Sequence, residues 1–172
     1  LKGVSRMQSL DIILELSGRS FTEAEKEEMA NRKNGWFTDY VSKMQADEIF
    51  PGVKTLLQQL KNDHIKIALA SSSKNAQRII QLLGIENYFD TVVDGTMIVN
   101  AKPAPDIFLL AAKKLNIAPQ DCLVFEDAEA GVQAALRAGM KCVGVGKQEQ
   151  LGHATLVVSS VSEFKYSQLM SL

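Results

Sequence analysis

The chain has 172 residues, 46% hydrophobic and 23% charged, with a formal net charge of -1. That balance suits a globular protein with one good core and room for a small subdomain. It offers no basic field for nucleic acid or an acidic membrane, so any phosphate must be bound locally. No apolar run approaches the roughly 20 residues of a membrane-spanning helix. The two histidines, His64 and His153, and the two cysteines, Cys122 and Cys142, lack metal-ligand spacing. Each cysteine sits in an apolar, strand-like run, which reads as a buried reduced thiol in a cytoplasmic protein.

The sequence begins Leu1-Lys2-Gly3, without Met, and reads from the start like the interior of a longer protein. Its first part has helical periodicity. Leu10, Ile13, Leu14 and Ser17 follow a stripe ended by Gly18. Thr22 with Glu25 three residues on forms a capping-box pattern for a charged helix over Glu23 to about Asn34. Trp36 to Met44 predicts a further helix, with Phe37, Tyr40, Val41 and Met44 on one side. Residues 1–45 are thus expected to form a small helical subdomain, and residues 46–172 an α/β domain.

From Phe50-Pro51-Gly52 the pattern changes. Val53, Leu56, Leu57 and Leu60 make one helix face, Ile65 to Ala70 a strand, and Ala76, Ile79, Ile80 and Leu83 another helix face closed by Gly84. Thr91 to Val93 reads as a short strand, and Pro105 opens a helix through Leu115. Cys122 to Phe125 is an apolar strand, followed by a helix from Ala128 that Gly139 ends. Strands at Lys141 to Val145 and Thr155 to Val158 precede a short C-terminal helix. Alternating strands and helices at this spacing predict a mainly parallel sheet, Rossmann-like, with helices on both faces.

Three polar clusters follow this architecture. Glu126 and Asp127 stand together where an apolar strand ends. They could hold a hard cation such as Mg2+, or favour the positive end of the next helix as caps. Ser71-Ser72-Ser73-Lys74-Asn75 lies between a strand and a helix, and suits either a phosphate or an ordinary polar turn. Lys102 sits in Ala101-Lys102-Pro103-Ala104-Pro105, where two prolines stiffen the loop. It could neutralise a transferring phosphoryl group or remain a solvated loop lysine. Ligands of parallel sheets gather beyond the strands' carboxyl ends, so the three clusters together point to phosphoryl transfer.

In order, spacing and flanking pattern the clusters resemble the motifs of the haloacid dehalogenase superfamily, from about Phe50 to Gly146. Ser71 resembles its second motif, Lys102-Pro103 its third, and Glu126-Asp127 its fourth. Within the superfamily the chain is similar to the sugar-phosphate mutases. That likeness rests on Lys2-Gly3-Val4-Ser5-Arg6 with Ser9, Arg32-Lys33-Asn34, Ala70 to Asn75, Lys102 to Phe108, and Val143 to Gly146. The resemblance implies a core with a helical cap, Ser71 and Lys102 on the phosphoryl group in transfer, and Mg2+ on Glu126 and Asp127. It also implies Ser73, Lys74 and Asn75 on the substrate's other phosphate, with Arg6, Ser9 and Lys33 meeting the sugar phosphate from the cap. Met7-Gln8 stands where many relatives carry two acids, which is a departure in the cap.

A larger departure is the superfamily's Asp-x-Asp, which supplies the phosphorylated nucleophile and the acid-base aspartate. No Asp-x-Asp occurs in this sequence. The expectation is therefore a fragment lacking that motif and its strand, inactive by itself. The function expected of the parent is a Mg2+-dependent isomerase that interconverts β-glucose 1-phosphate and glucose 6-phosphate through a bisphosphate. Its substrate would be a small sugar phosphate and its state a monomer, without nucleic acid or membrane partners. A sugar-phosphate phosphatase of the same superfamily is the alternative. A non-catalytic, receiver-like phosphate module is a third reading, though receiver lysines follow the phosphorylated acid, whereas Lys102 precedes Glu126-Asp127.

Overall fold

A computed structural model describes residues 6–172, apart from the side chains of Gln8 and Met170. Lys2, Gly3, Val4 and Ser5 lie outside the described residues. Helices α1 (Arg6–Glu15) and α2 (Glu23–Ser42) come first. Thr22 caps α2 as its sequence predicts. Its Oγ1 accepts from the Glu25 N–H at 3.3 Å while Glu25 Oε2 accepts from the Thr22 N–H at 2.7 Å. The second helix expected from Trp36 does not start anew, because α2 runs through Gly35 without a break. A continuous inward stripe, Lys26, Ala30, Asn34, Phe37 and Val41, keeps helical spacing across the glycine and outweighs its weak propensity. Tyr40, expected on that stripe, is 64% exposed, one position off the packed face. Lys26 Nζ lies 2.9 Å from Asp11 Oδ1 and ties α2 to α1.

The remainder alternates strands and helices: α3 (Val53–Asn62), β1 (Ala68–Ser71), α4 (Ala76–Leu82), β2 (Thr91–Asp94), α5 (Asp106–Leu115), β3 (Leu123–Glu126), α6 (Glu129–Arg137), β4 (Lys141–Val145), α7 (Gln148–Leu151) and β5 (Leu156–Val158). The short C-terminal helix expected is a 3₁₀ helix, Tyr166–Met170. β1 starts later than its apolar run because the Ile67 N–H donates to Asp90 Oδ2 at 2.8 Å instead of joining the ladder. Every strand pair is parallel, as the pattern predicts, but the single sheet expected is divided in two: β1-β2 and β3-β4-β5. Among the described residues ladder bonds run within these groups, and side chains join them. Ala68 and Ala70 pack against one buried cluster that joins Val93 to Ile107, Val124, Val132 and Cys142.

Alternation along the strands builds the two faces. Ala68, Ala70 and Val93 turn to the side of α5 and α6, while Ile67, Leu69 and Val92 pack with Leu57 and Ile80 of α3 and α4. Both faces therefore carry helices. Cys142 is fully buried in β4, and burial pushes its thiol up to about 12. Cys122 differs from expectation, lying half-buried one residue before β3.

Two measurements test this packing. Ile107 is wholly buried, so Ile107→Ala should cost about 2–5 kcal/mol in a urea unfolding curve. Tyr166 donates to Asp63 Oδ2 at 2.6 Å, and this bond holds the phenol up to about 12 against its ordinary 10.0. A raised folded value favours the protonated fold, so this stabilisation is fully present below pH 10 and lost as pH rises toward 12. Tyr166→Phe should flatten that part of the stability-pH curve.

Candidate active site

Ser71 ends β1, level with Asp94 of β2. The chain then turns on its own hydroxyls: the Ser73 N–H donates to Ser71 Oγ at 3.2 Å and the Asn75 N–H to Ser73 Oγ at 3.1 Å. Asn75 is the N-cap residue of α4, but its side chain makes no cap bond. Gly95, leaving β2, lies against the Ser72 carbonyl so closely that a Cβ there would overlap it. The loop is thus braced backbone to backbone by the neighbouring strand's exit.

Lys102 follows in the connection from β2 to α5, with a cis bond to Pro103. It is not the solvated lysine the loop could have carried, being only 4% exposed. Its Nζ lies 2.8 Å from Glu126 Oε2 and 4.7 Å from the Phe108 ring centroid. The Lys102 loop therefore does reach the carboxyl end of β3, as the sequence requires for a shared site. Capping does not explain Glu126: the N-cap residue of α6 is Ala128, and Glu126 is held by Lys102. Gly131, in the first turn of α6, leaves the space in which that carboxyl sits. A Cβ there would overlap Cγ, Cδ and Oε1 of Glu126. Asp127 follows, exposed, at the end of the strand.

A cleft of about 920 Å³ lies between the helical part and the α/β part. Arg6, Ser9 and Lys33 line it from α1 and α2; Ser73, Lys74 and Asn75 line it from the β1 loop. All six were singled out from the sequence, and one cleft holds them. Ser71, Lys102, Glu126 and Asp127 do not line it, but Ser72 and Pro103, each next to one of them, do. Arg6 Nη2 donates to Asn34 Oδ1 at 2.7 Å, and Lys33 Nζ sits 5.0 Å from the Phe37 ring centroid. Gly95, Arg137 and the space at Gly131 escape a reading of site residues from sequence, and Asn34 enters it as part of Arg32-Lys33-Asn34 but without a role of its own. Asn34 matters only through helix pairing, and the glycines only through tertiary approach.

Helices on both faces of parallel strands, with a serine, a buried lysine and a carboxylate pair beyond the strand ends, define a phosphoryl-transfer class of α/β protein. Residues 4–139 match the family model of haloacid dehalogenase-like hydrolases, and the chain belongs to that family. It is 47% identical over 165 residues to the beta-phosphoglucomutase of Bacillus subtilis (strain 168), covering 95% of this chain and 73% of that protein. A phosphorylated carbohydrates phosphatase of Thermotoga maritima is 32% identical, covering 100% and 79%. The crystal structure of beta-phosphoglucomutase from Clostridium difficile superposes with a TM-score of 0.93 at 44% identity, covering 99% of this chain and 78% of that one.

Removing one member of a buried ion pair strands the other. Glu126→Ala should therefore cost about 3–5 kcal/mol in denaturant unfolding. Glu126→Leu with Lys102→Met should cost clearly less than the two single changes summed. Gly131→Ala, which removes neither charge, should weaken the fold in the same direction by displacing Glu126.

Proposed function

We propose that the protein carrying this chain is a β-phosphoglucomutase, interconverting β-glucose 1-phosphate and glucose 6-phosphate through β-glucose 1,6-bisphosphate. The observation that carries the reading is the two-sided cleft. Cations and hydroxyls line it from the helical part and from the core, which suits a sugar with a phosphate at each end. A phosphatase needs one phosphate site; a mutase working through a bisphosphate needs two. The identity to the Bacillus subtilis enzyme over 95% of the chain supports the same reading.

In this reading residues 1–45 act as a cap and residues 46–172 as the core. Ser71 and Lys102 bind the phosphoryl group in transfer, the lysine exchanging Glu126 for phosphate oxygens. Ser73, Lys74 and Asn75 anchor the second phosphate, and Arg6, Ser9 and Lys33 close on the ligand from the cap. Closure excludes water, so a sugar hydroxyl rather than water accepts the phosphoryl group. Glu126 and Asp127 offer hard oxygen donors from adjacent residues, and these two would hold Mg2+. Bound there, Mg2+ would neutralise charge on the transferring group. The phosphoryl-accepting aspartate is assigned outside these 172 residues, since no Asp-x-Asp occurs among them. The setting is cytoplasmic and the protein a monomer; among the described residues no helix is long and apolar enough to cross a membrane.

Phosphatase action is the second reading, favoured by the 32% identity to the Thermotoga maritima phosphatase. One assay separates them. With Mg2+ and a bisphosphate primer, β-glucose 1-phosphate should give glucose 6-phosphate, and inorganic phosphate as the sole product would overturn the mutase. Arg6→Ala should lower mutase kcat/KM roughly ten- to hundredfold, the size of one lost charge-assisted contact. Hydrolysis of a small phosphate ester should barely respond.

A further inference from the structure

We propose that Arg137 is a ligand-binding residue of the cleft, setting its preference for two phosphate groups over one. The proposal rests on the bisphosphate reading above. Arg137 lies in the last turn of α6, far along the chain from every cluster so far assigned a phosphate. It is exposed, yet it lines the same cleft as Arg6, Lys33 and Lys74. Its Nη1 donates to the Pro103 carbonyl at 3.0 Å. That bond fixes the guanidinium beside the Lys102-Pro103 turn and uses one of its five donors. No described residue lining the cleft is Asp or Glu. Four cations therefore line the cleft with no acidic lining residue to balance them, in a chain whose net charge is -1.

The charge count decides between ligands. Each phosphomonoester carries about -1.5 to -2 at neutral pH, so a sugar bisphosphate brings roughly -3 to -4. Lys102 and Glu126 offset one another, so Arg6, Lys33, Lys74 and Arg137 supply the positive charge of the cleft and match that total, whereas a monophosphate leaves about half of them unneutralised. Two of the four, Arg6 and Lys33, stand on α1 and α2; the other two stand on the core. Like charges on facing walls oppose closure until an anion lies between them. A bisphosphate relieves that repulsion more fully than a monophosphate. Arg137, clipped to the loop of the buried lysine, supplies the core's second charge. A guanidinium also suits phosphate better than an ammonium, because its fork can bind two oxygens.

Isothermal titration of the whole protein that carries this chain with glucose 1,6-bisphosphate and glucose 6-phosphate, at several salt concentrations, tests this. In Arg137→Gln the bisphosphate should bind roughly tenfold more weakly, while the monophosphate should change less than about threefold. The dependence of log Kd on log salt for the bisphosphate should become shallower. Arg137→Lys, which keeps the charge and loses the fork, should recover most of the affinity and the salt slope. Unchanged bisphosphate affinity in Arg137→Gln would overturn the proposal. So would equal weakening of both ligands with no recovery in Arg137→Lys, which would reduce Arg137 to a clip on Pro103. Failure of the unaltered chain to prefer bisphosphate at all would instead remove the mutase reading beneath it. Near-UV circular dichroism of each variant checks that the fold is intact, and Arg137→Met, which keeps the apolar stem and drops the charge, carries the same test if Arg137→Gln unfolds.

Discussion

A lysine and a glutamate out of water must find one another or the fold pays heavily, and much of this molecule is arranged around that need. Lys102 and Glu126 are 24 positions apart and come from different strand exits. Bringing them to 2.8 Å brings the loop before α5 to the end of β3. Desolvation of two such ions is compensated only by good geometry and further partners. Phe108 supplies one partner, its ring face under the ammonium, and the missing side chain at Gly131 supplies the room. The pair also bridges the two parallel strand groups, whose ladders do not join among the described residues. Structural cohesion and a poised charge are thus one interaction, and a phosphoryl ligand would compete for a lysine the fold already uses.

Much of the architecture can be read in the sequence because its signals are local. Apolar spacing marks the helix faces, Gly18, Gly84 and Gly139 adopt the positive φ expected of helix ends, and Pro105 opens α5. Where the reading slips, a non-local partner is responsible. The start of β1 is delayed by the carboxylate of Asp90, which takes the Ile67 N–H from 23 residues away. Gly35 looks like a break, and only the packing of Phe37 and Val41 shows why α2 continues. The site divides along the same line. Ser71 to Asn75, Lys102 and Glu126-Asp127 stand out as residue types at strand ends. Asn34, which receives Arg6, is one more polar residue on a charged helix until α1 is laid beside α2.

Charge shows a similar contrast of scale. A net of -1 rules out any general attraction for phosphates, and yet the cleft wall is wholly cationic among its charged members. Segregating charge in this way confines attraction to a volume the size of a small ligand, within about one Debye length of roughly 8 Å at physiological salt. Polyanions too large for the cleft gain little from it. Lys33 parked over Phe37 and Arg6 held by Asn34 lose less freedom on meeting a ligand than untethered chains would.

The contact between Gly95 and the carbonyl of Ser72 bears on how such a loop can change over generations. A brace made of main-chain atoms does not depend on which side chains the loop carries. Ser73, Lys74 and Asn75 could be exchanged to suit another substrate without shifting the path on which they are strung. That freedom has one toll, at position 95, where any side chain would displace the loop. Variation in recognition is open at several residues and closed at one, and the closed one lines the same cleft without a side chain to offer.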